Sequence, residues 1–339
     1  MKEEFLKEPT KPFEVNPNDS VSDVLKKMEK ISFQGRTLAL ALNVWEKMLS
    51  DDVIIFLGLA GAMIPAGMRK IIVYLIKERL IDCLVSTGAN LFHDIHEIRG
   101  KYHYLGNPNV DDTLLRKCKI DRIYDTFASE DEFIDTDNFI IALCEKFDQK
   151  RFYSTREFLY LLGKELTEFQ EEGIVNTAYK FNFPIYCPAI GDSSIGIALT
   201  EGKRKGKIDI KFDIIKDVYE TAYLTSLKKS GVIYIGGGVP KNFIQQTEVT
   251  APFLGFKTHG HSYAIQFTMD APHWGGLSGC TFSEAQSWGK IALDAKMVTC
   301  YCDATIALPI VVSALAQKKI KREKVIQFKD LDKENFKII

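Results

Sequence analysis

Gly231-Val-Ile-Tyr-Ile235 runs without a break into Gly236-Gly-Gly238, and Pro240 stands two residues further on. A short apolar run closing on glycines, then a proline suited to a first helical turn, reads as strand, tight turn and helix start. The same grammar recurs on both sides of it. Val53-Ile-Ile-Phe-Leu57 closes on Gly58-Leu-Ala-Gly61-Ala-Met-Ile-Pro65-Ala-Gly67, ahead of a helical run from Met68 to Leu80. Ile81-Asp-Cys-Leu-Val85 closes on Ser86-Thr-Gly-Ala-Asn90, and Pro184-Ile-Tyr-Cys187 on Pro188-Ala-Ile-Gly-Asp192-Ser-Ser-Ile-Gly196. Ser262-Tyr-Ala-Ile-Gln-Phe267 and Met297-Val-Thr-Cys-Tyr301 complete the set. Strands apolar on both sides, alternating with helices, predict a parallel sheet covered on both faces. The expected class is α/β: a doubly wound, mostly parallel Rossmann-like sheet whose ligand crevice lies beyond the carboxyl ends of its strands.

The rest of the chain divides around this core. Residues 1–50 read as a polar arm carrying Pro9, Pro12 and Pro17, then helices from Ser20 to about Ile31 and from about Thr37 to Met48. Residues 51–320 form the single α/β domain. It is interrupted at about 109–170 by a charged helical excursion with no clear strand, its helices at Val110–Lys117, Asp137–Phe147 and Thr155–Phe169. Residues 321–339 read as a tail.

Composition excludes several classes. Lys+Arg 44 against Asp+Glu 45 leaves a net charge of -1, which argues against nucleic-acid binding driven by bulk charge. No apolar run reaches the ~18 residues that a membrane span needs, and the charged start lacks the apolar stretch of a secretory signal. Seven scattered cysteines without a Cys-x-x-Cys pair read as reduced thiols of a cytoplasmic protein. Cys300 and Cys302 alternate and read as small core residues.

Two features carry chemistry. Four strand-end loops, 58–67, 86–90, 191–196 and 236–238, hold small or hydroxyl residues that let backbone approach a phosphate at helix N-termini. Each loop alone also reads as a tight turn, and no Gly-x-Gly-x-x-Gly fingerprint occurs. The second feature is Ser283-Glu-Ala-Gln-Ser-Trp-Gly-Lys290, entered through His273-Trp-Gly-Gly-Leu-Ser-Gly279 and followed by Ile291-Ala-Leu293. A lysine between an indole and an apolar run has its charged form disfavoured, and a neutral amine attacks carbonyl or imine carbon. Trp288 offers a ring face to a cation, and Glu284 a carboxylate to an ammonium. The plain alternative is a surface helix whose lysine lies along a tryptophan.

Gly-Leu-Ser-Gly279, Glu284-Ala-x-Ser-Trp-Gly-Lys290 and Tyr301-Cys-Asp303-Ala304-Thr305, with Pro309 beyond, resemble the C-terminal signature of the deoxyhypusine synthase family, and the likeness spans about Phe56 to Ala316. The resemblance implies that Lys290 forms an imine with a butylamine fragment taken from spermidine, with Trp288 and Glu284 beside it. It implies an NAD site at Thr87, Gly88, Ala89, Asp192, Gly236, Gly237, Ser278, Asp303 and Ala304. It also implies a homotetramer with sites between paired subunits.

Several polyamine-contacting positions depart from the family pattern. Acids are expected where Ile197 and Leu277 stand, a histidine where Asn242 stands, and an acidic pair where Phe92 and His93 stand. Asn242, Gly275, Leu277 and His93 are therefore the candidate substrate contacts, with Asp94, Glu97 or Asp270 as replacement carboxylates. Family members of this divergent type resemble homospermidine synthases. The acceptor amine is accordingly either a protein lysine, as on a translation factor precursor, or a free diamine. His93-Asp-Ile-His96-Glu97 lacks a third ligand at metal spacing and reads as polar lining, so no metal is expected. His259, His261 and His273 read as loop residues, His273 also as a proton carrier near the lysine. Other classes for the same residues are a pyridoxal-phosphate lysine enzyme, yellow when purified, and a polyamine-binding protein without turnover.

Overall fold

The computed structural model describes residues 2–339. Six strands form the central sheet: β1 Val53–Leu59, β2 Cys83–Ser86, β3 Ile185–Tyr186, β4 Lys229–Ile235, β5 His261–Phe267 and β6 Ile291–Cys300. Their spatial order is β6-β5-β4-β1-β2-β3, and every neighbouring pair is parallel. This is a doubly wound order, reversing between β1 and β4.

Alternation explains why the strands read as unbroken apolar runs. Ile55, Leu57 and Leu59 of β1 pack into one core with Trp45, Ile72, Leu91 and Leu308, while Ile54 and Phe56 pack into a second with Leu224, Ile244 and Phe282. Both faces of the inner strands are covered, so these run mostly apolar on both sides, whereas the edge strand β6 exposes Leu293, Asp294, Lys296 and Met297. The first face takes the helices Val21–Met28, Phe33–Ser50, Arg69–Lys77, Gly88–Ile98 and Ala304–Lys318; the second takes Ile214–Ser226, Gly238–Phe253 and Phe282–Ser287. Ser20 caps the first of these in a capping box with Asp23.

Three expectations need correction. The excursion is not purely helical: Tyr104–Leu105, Ile120–Ile123 and Thr126–Ser129 form a small antiparallel sheet ahead of the helix Glu130–Cys144. β6 starts six residues earlier than the expected Met297, directly after Lys290, where the exposed Asp294 and Lys296 of this edge strand interrupt its apolar run. The tail is part of the fold. Ile326, Phe328 and Leu331 sit in the second core, and Arg322 grips the buried Asp82 carboxylate with two bonds of 2.9 Å. No helix among the described residues is long and apolar enough to cross a membrane.

Candidate active site

At the switch point the strand-end loops are stitched to one another. Ala60 N–H donates to Ile235 O (3.0 Å), Gly236 N–H to Phe267 O (2.8 Å) and Thr87 N–H to Leu59 O (3.1 Å). Asn90 Oδ1 accepts from Met63 N–H at 3.0 Å, and its Nδ2 donates to Gly61 O at 2.8 Å. The glycines are needed by contact as much as by conformation. A Cβ on Gly237 would lie 2.4 Å from Ser278 Cα, and one on Gly88 would lie 2.4 Å from Ser193 Oγ. Gly236 turns with φ 69°, a conformation that side chains resist.

Helices Gly88–Ile98, Ser194–Arg204 and Gly238–Phe253 begin at these loops. Their N-caps Thr87, Ser193 and Gly237 make no side-chain capping bond, although Asp111, Ser129 and Ser154 cap helices elsewhere. Apart from that of Gly238, the N-terminal N–H groups of these helices lack a capping side chain from their N-caps and suit an anion such as a diphosphate. Ala89 and Asp192 are exposed at its lip. Ser278 faces it through Gly238, whose N–H donates to Ser278 Oγ at 3.0 Å. Asp303 stands at the end of β6, where its Oδ1 caps the helix beginning at Ala304 by accepting from Thr305 N–H at 2.7 Å.

The lysine stretch approaches from the other end of the sheet. Thr281 caps the short helix Phe282–Ser287 by accepting from Glu284 N–H at 3.0 Å, and Trp288 ends it. Gly289 then turns with φ 70°. Lys290 N–H donates to Ala285 O (3.1 Å) and Lys290 O accepts from His261 N–H (3.0 Å), which fixes its backbone at the amino end of β6. Its side chain is buried, 9% exposed, with Nζ 5.4 Å from the Trp288 ring centroid. Glu284 and Trp288 are themselves exposed.

Lys241, one turn into the helix that follows the triple glycine, joins the two ends. Burial, the largest cause, pulls its amine down to about 8, against the opposing fields of Cys280 and Glu284, while Lys290 pulls in the same direction as burial. Cys280 likewise lies in the fields of Lys241, Glu284 and Lys290. Gln266 of β5 donates to Gly236 O (2.9 Å) and Ser278 O (2.7 Å) and accepts from Lys241 Nζ (2.9 Å). Sequence reasoning assigned no role to Lys241, Gln266 or Cys280. The available signal for Gln266 was a lone amide inside the apolar run Tyr263–Phe267.

Other candidates lie apart or engaged. His93 Nδ1 is 2.9 Å from His103 Nε2, and its ring packs on Phe133. Asp94 accepts from Ile174 and Val175 N–H, both at 2.8 Å, and Glu97 pairs with Arg69 and His103, so neither replaces the missing carboxylates. Asp270 is exposed and within the field of Lys241. Asn242 is half-buried beside Lys241, while Gly275 and Leu277 are exposed on the turn before Ser278. His261 is no loop residue: it opens β5, buried, 2.7 Å from Ser230 Oγ. His273 is exposed and lies against Trp274 with its ring tilted by 51°. Among the described residues no group of three His, Cys, Asp or Glu side chains could hold a metal ion.

Sheet order, glycine-bearing strand-end turns and a buried lysine together define a Rossmann-like α/β protein. The chain belongs to the deoxyhypusine synthase family, a family of transferases, whose model matches residues 23–315. It is 54% identical over 318 residues to the "Probable deoxyhypusine synthase 2" of Methanosarcina acetivorans, covering 93% of this chain and 91% of that protein. Against the protein of the same description from Archaeoglobus fulgidus it is 49% identical over 306 residues, covering 90% and 100%. Among solved structures, one described as "a putative deoxyhypusine synthase from Entamoeba histolytica" shares the fold with TM-score 0.63 at 18% identity, covering 93% of this chain and 99% of that one.

Proposed function

We propose that this chain is an NAD-dependent aminobutyltransferase, moving a four-carbon amine fragment from spermidine or a related polyamine through an imine on Lys290 to an acceptor amine. The observation that carries the reading is the buried Lys290 amine against Trp288, in the same electrostatic neighbourhood as the Lys241 and Cys280 that border the glycine crevice. The loops fit a dinucleotide: Thr87, Gly88, Ala89 and Asp192 on one side, Gly236, Gly237 and Ser278 on the other, with Asp303 and Ala304 at the end of β6. Their uncapped helix starts suit its phosphates, and the exposed Asp192 carboxylate suits a ribose diol.

When bound, NAD supplies a hydride acceptor that returns the hydride at the end of the cycle, so the net reaction is a transfer. Lys290 adds its amine to the imine carbon and the first amine leaves, keeping the fragment on the enzyme. Trp288 faces the cationic chain, and Glu284 holds its free ammonium. The acceptor amine then displaces Lys290. Exclusion of water protects the imine from hydrolysis. Gly275, Leu277 and Asn242 are the proposed substrate contacts, whereas His93 is taken up by His103 and Phe133.

Trp274 and Trp288, 78% and 66% exposed on one chain, support a homotetramer in which a second subunit covers the lysine side. The free thiols suit a cytoplasmic location. The acceptor is either a free diamine or a protein lysine. Incubating the protein with NAD, spermidine and putrescine, then with candidate protein acceptors, and weighing the products tests the reading. Absence of any transferred fragment refutes it.

A further inference from the structure

Lys241 lies in the field of Lys290, and the structure treats the two amines differently. Lys241 Nζ donates to three oxygens, Gln266 Oε1 (2.9 Å), Cys280 O (2.6 Å) and Ser278 O (3.4 Å). The two carbonyls can only accept. Gln266 must also turn its oxygen towards Lys241, because its Nε2 is committed to Gly236 O and Ser278 O. Three acceptors around one nitrogen match the three N–H bonds of an ammonium. A neutral amine would point its lone pair at one of those oxygens. Lys290, in contrast, rests against a ring face.

We infer that Gln266 is a positioning residue that selects the nucleophile: it pins Lys241 as a fully bonded ammonium, so that the imine forms on Lys290. The inference rests on the functional reading above. A buried amine is a good nucleophile once it loses its proton, and burial already draws the Lys241 amine down to about 8. Without a third acceptor it would compete for the same carbon. Gln266 is buried, and the same side chain ties the glycine turn to the Ser278 turn, so selection of the amine and shape of the crevice depend on one residue.

Butanal with cyanoborohydride tests this on the purified protein, followed by mass mapping of butylated lysines. An unprotonated amine adds to the aldehyde carbon, water leaves, and the reagent delivers hydride to the imine carbon, leaving butyl-lysine. The variants are Gln266→Leu, which removes the acceptor, and Gln266→Glu, which keeps an acceptor. Both lose the two Nε2 donor bonds, so loosening of the loops alone moves them equally. The wild type should label Lys290 and spare Lys241; Gln266→Leu should raise Lys241 labelling about tenfold, the worth of one bond to a charged group; Gln266→Glu should not raise it. Equal labelling of both lysines in the wild type, no rise in Gln266→Leu, or the same rise in both variants overturns the inference. An unlabelled Lys290 in the wild type overturns the functional reading of that lysine, and the Leu and Glu variants still decide whether Gln266 restrains Lys241.

Discussion

Lys290 Nζ lies 5.4 Å from the centre of the Trp288 ring, and the helix carrying Trp288 ends at the turn that delivers the lysine. The indole is therefore both the wall of the amine pocket and the stop of its supporting helix. Trp288→Ala should weaken capture of a cationic substrate about tenfold, the scale of one partly desolvated cation–ring contact. The rise should fall on KM more than kcat, measured by steady-state kinetics with varied spermidine. An unchanged KM would remove the ring from the substrate path.

Gly237 faces Ser278 with no room for a side chain. Gly237→Ala should push these two turns apart and lower NAD affinity at least about tenfold, at a stability cost of about 1–3 kcal/mol typical of overpacking. Calorimetric titration with NAD beside thermal melts separates the two effects. Normal affinity would place the cofactor elsewhere.

Exposed Trp274 and Leu293, the latter 90% exposed, flank the lysine stretch on a single chain. Trp274→Glu combined with Leu293→Glu should dissociate the oligomer and reduce transfer by at least about tenfold, since charges buried without partners are costly. Sedimentation velocity reads the assembly. An intact oligomer carrying both changes would move the interface to another face.

Asp137 has its carboxyl pushed up to about 7, by burial first and the Glu201 charge second. The folded chain keeps this proton where the unfolded chain has released it. The group therefore costs stability as pH rises from about 4 to about 7, and the cost is level above that. Asp137→Asn should stabilise the protein by about 1–2 kcal/mol more at about pH 8 than at about pH 5, after allowance for solvent screening. Urea midpoints at the two pH values measure it, and an equal effect at both would contradict the assignment.

The central sheet was legible because its inner strands are apolar on both faces and two of them run into glycine-bearing turns, as Val53–Leu59 and Lys229–Ile235 do. The hairpin Ile120–Ile123 and Thr126–Ser129 was not. Its first strand is half-buried and carries Asp121 and Arg122, its second is short, and the turn between them places Tyr124 at φ 53° where a glycine or asparagine would have announced it. β6 was read short because Asp294 and Lys296, exposed on this edge strand, interrupt its apolar run. Lys290, Trp288 and Glu284 stood out through the likeness of their segment to a family signature, since their spacing alone also fits a surface helix. Gln266 and Lys241 did not, since a single polar residue in a strand acquires meaning only when the turns it bonds are brought beside it. The tail was equally silent: Arg322 and Leu331 find Asp82 and Arg156 only in three dimensions.

The most direct test of the account is peptide mass mapping after the wild-type protein is incubated with NAD and spermidine and reduced with borohydride. The account predicts an aminobutyl group on Lys290, lost in Lys290→Arg while NAD binding stays nearly intact. A fragment on another residue, none at all, or substantial transfer by Lys290→Arg would contradict it.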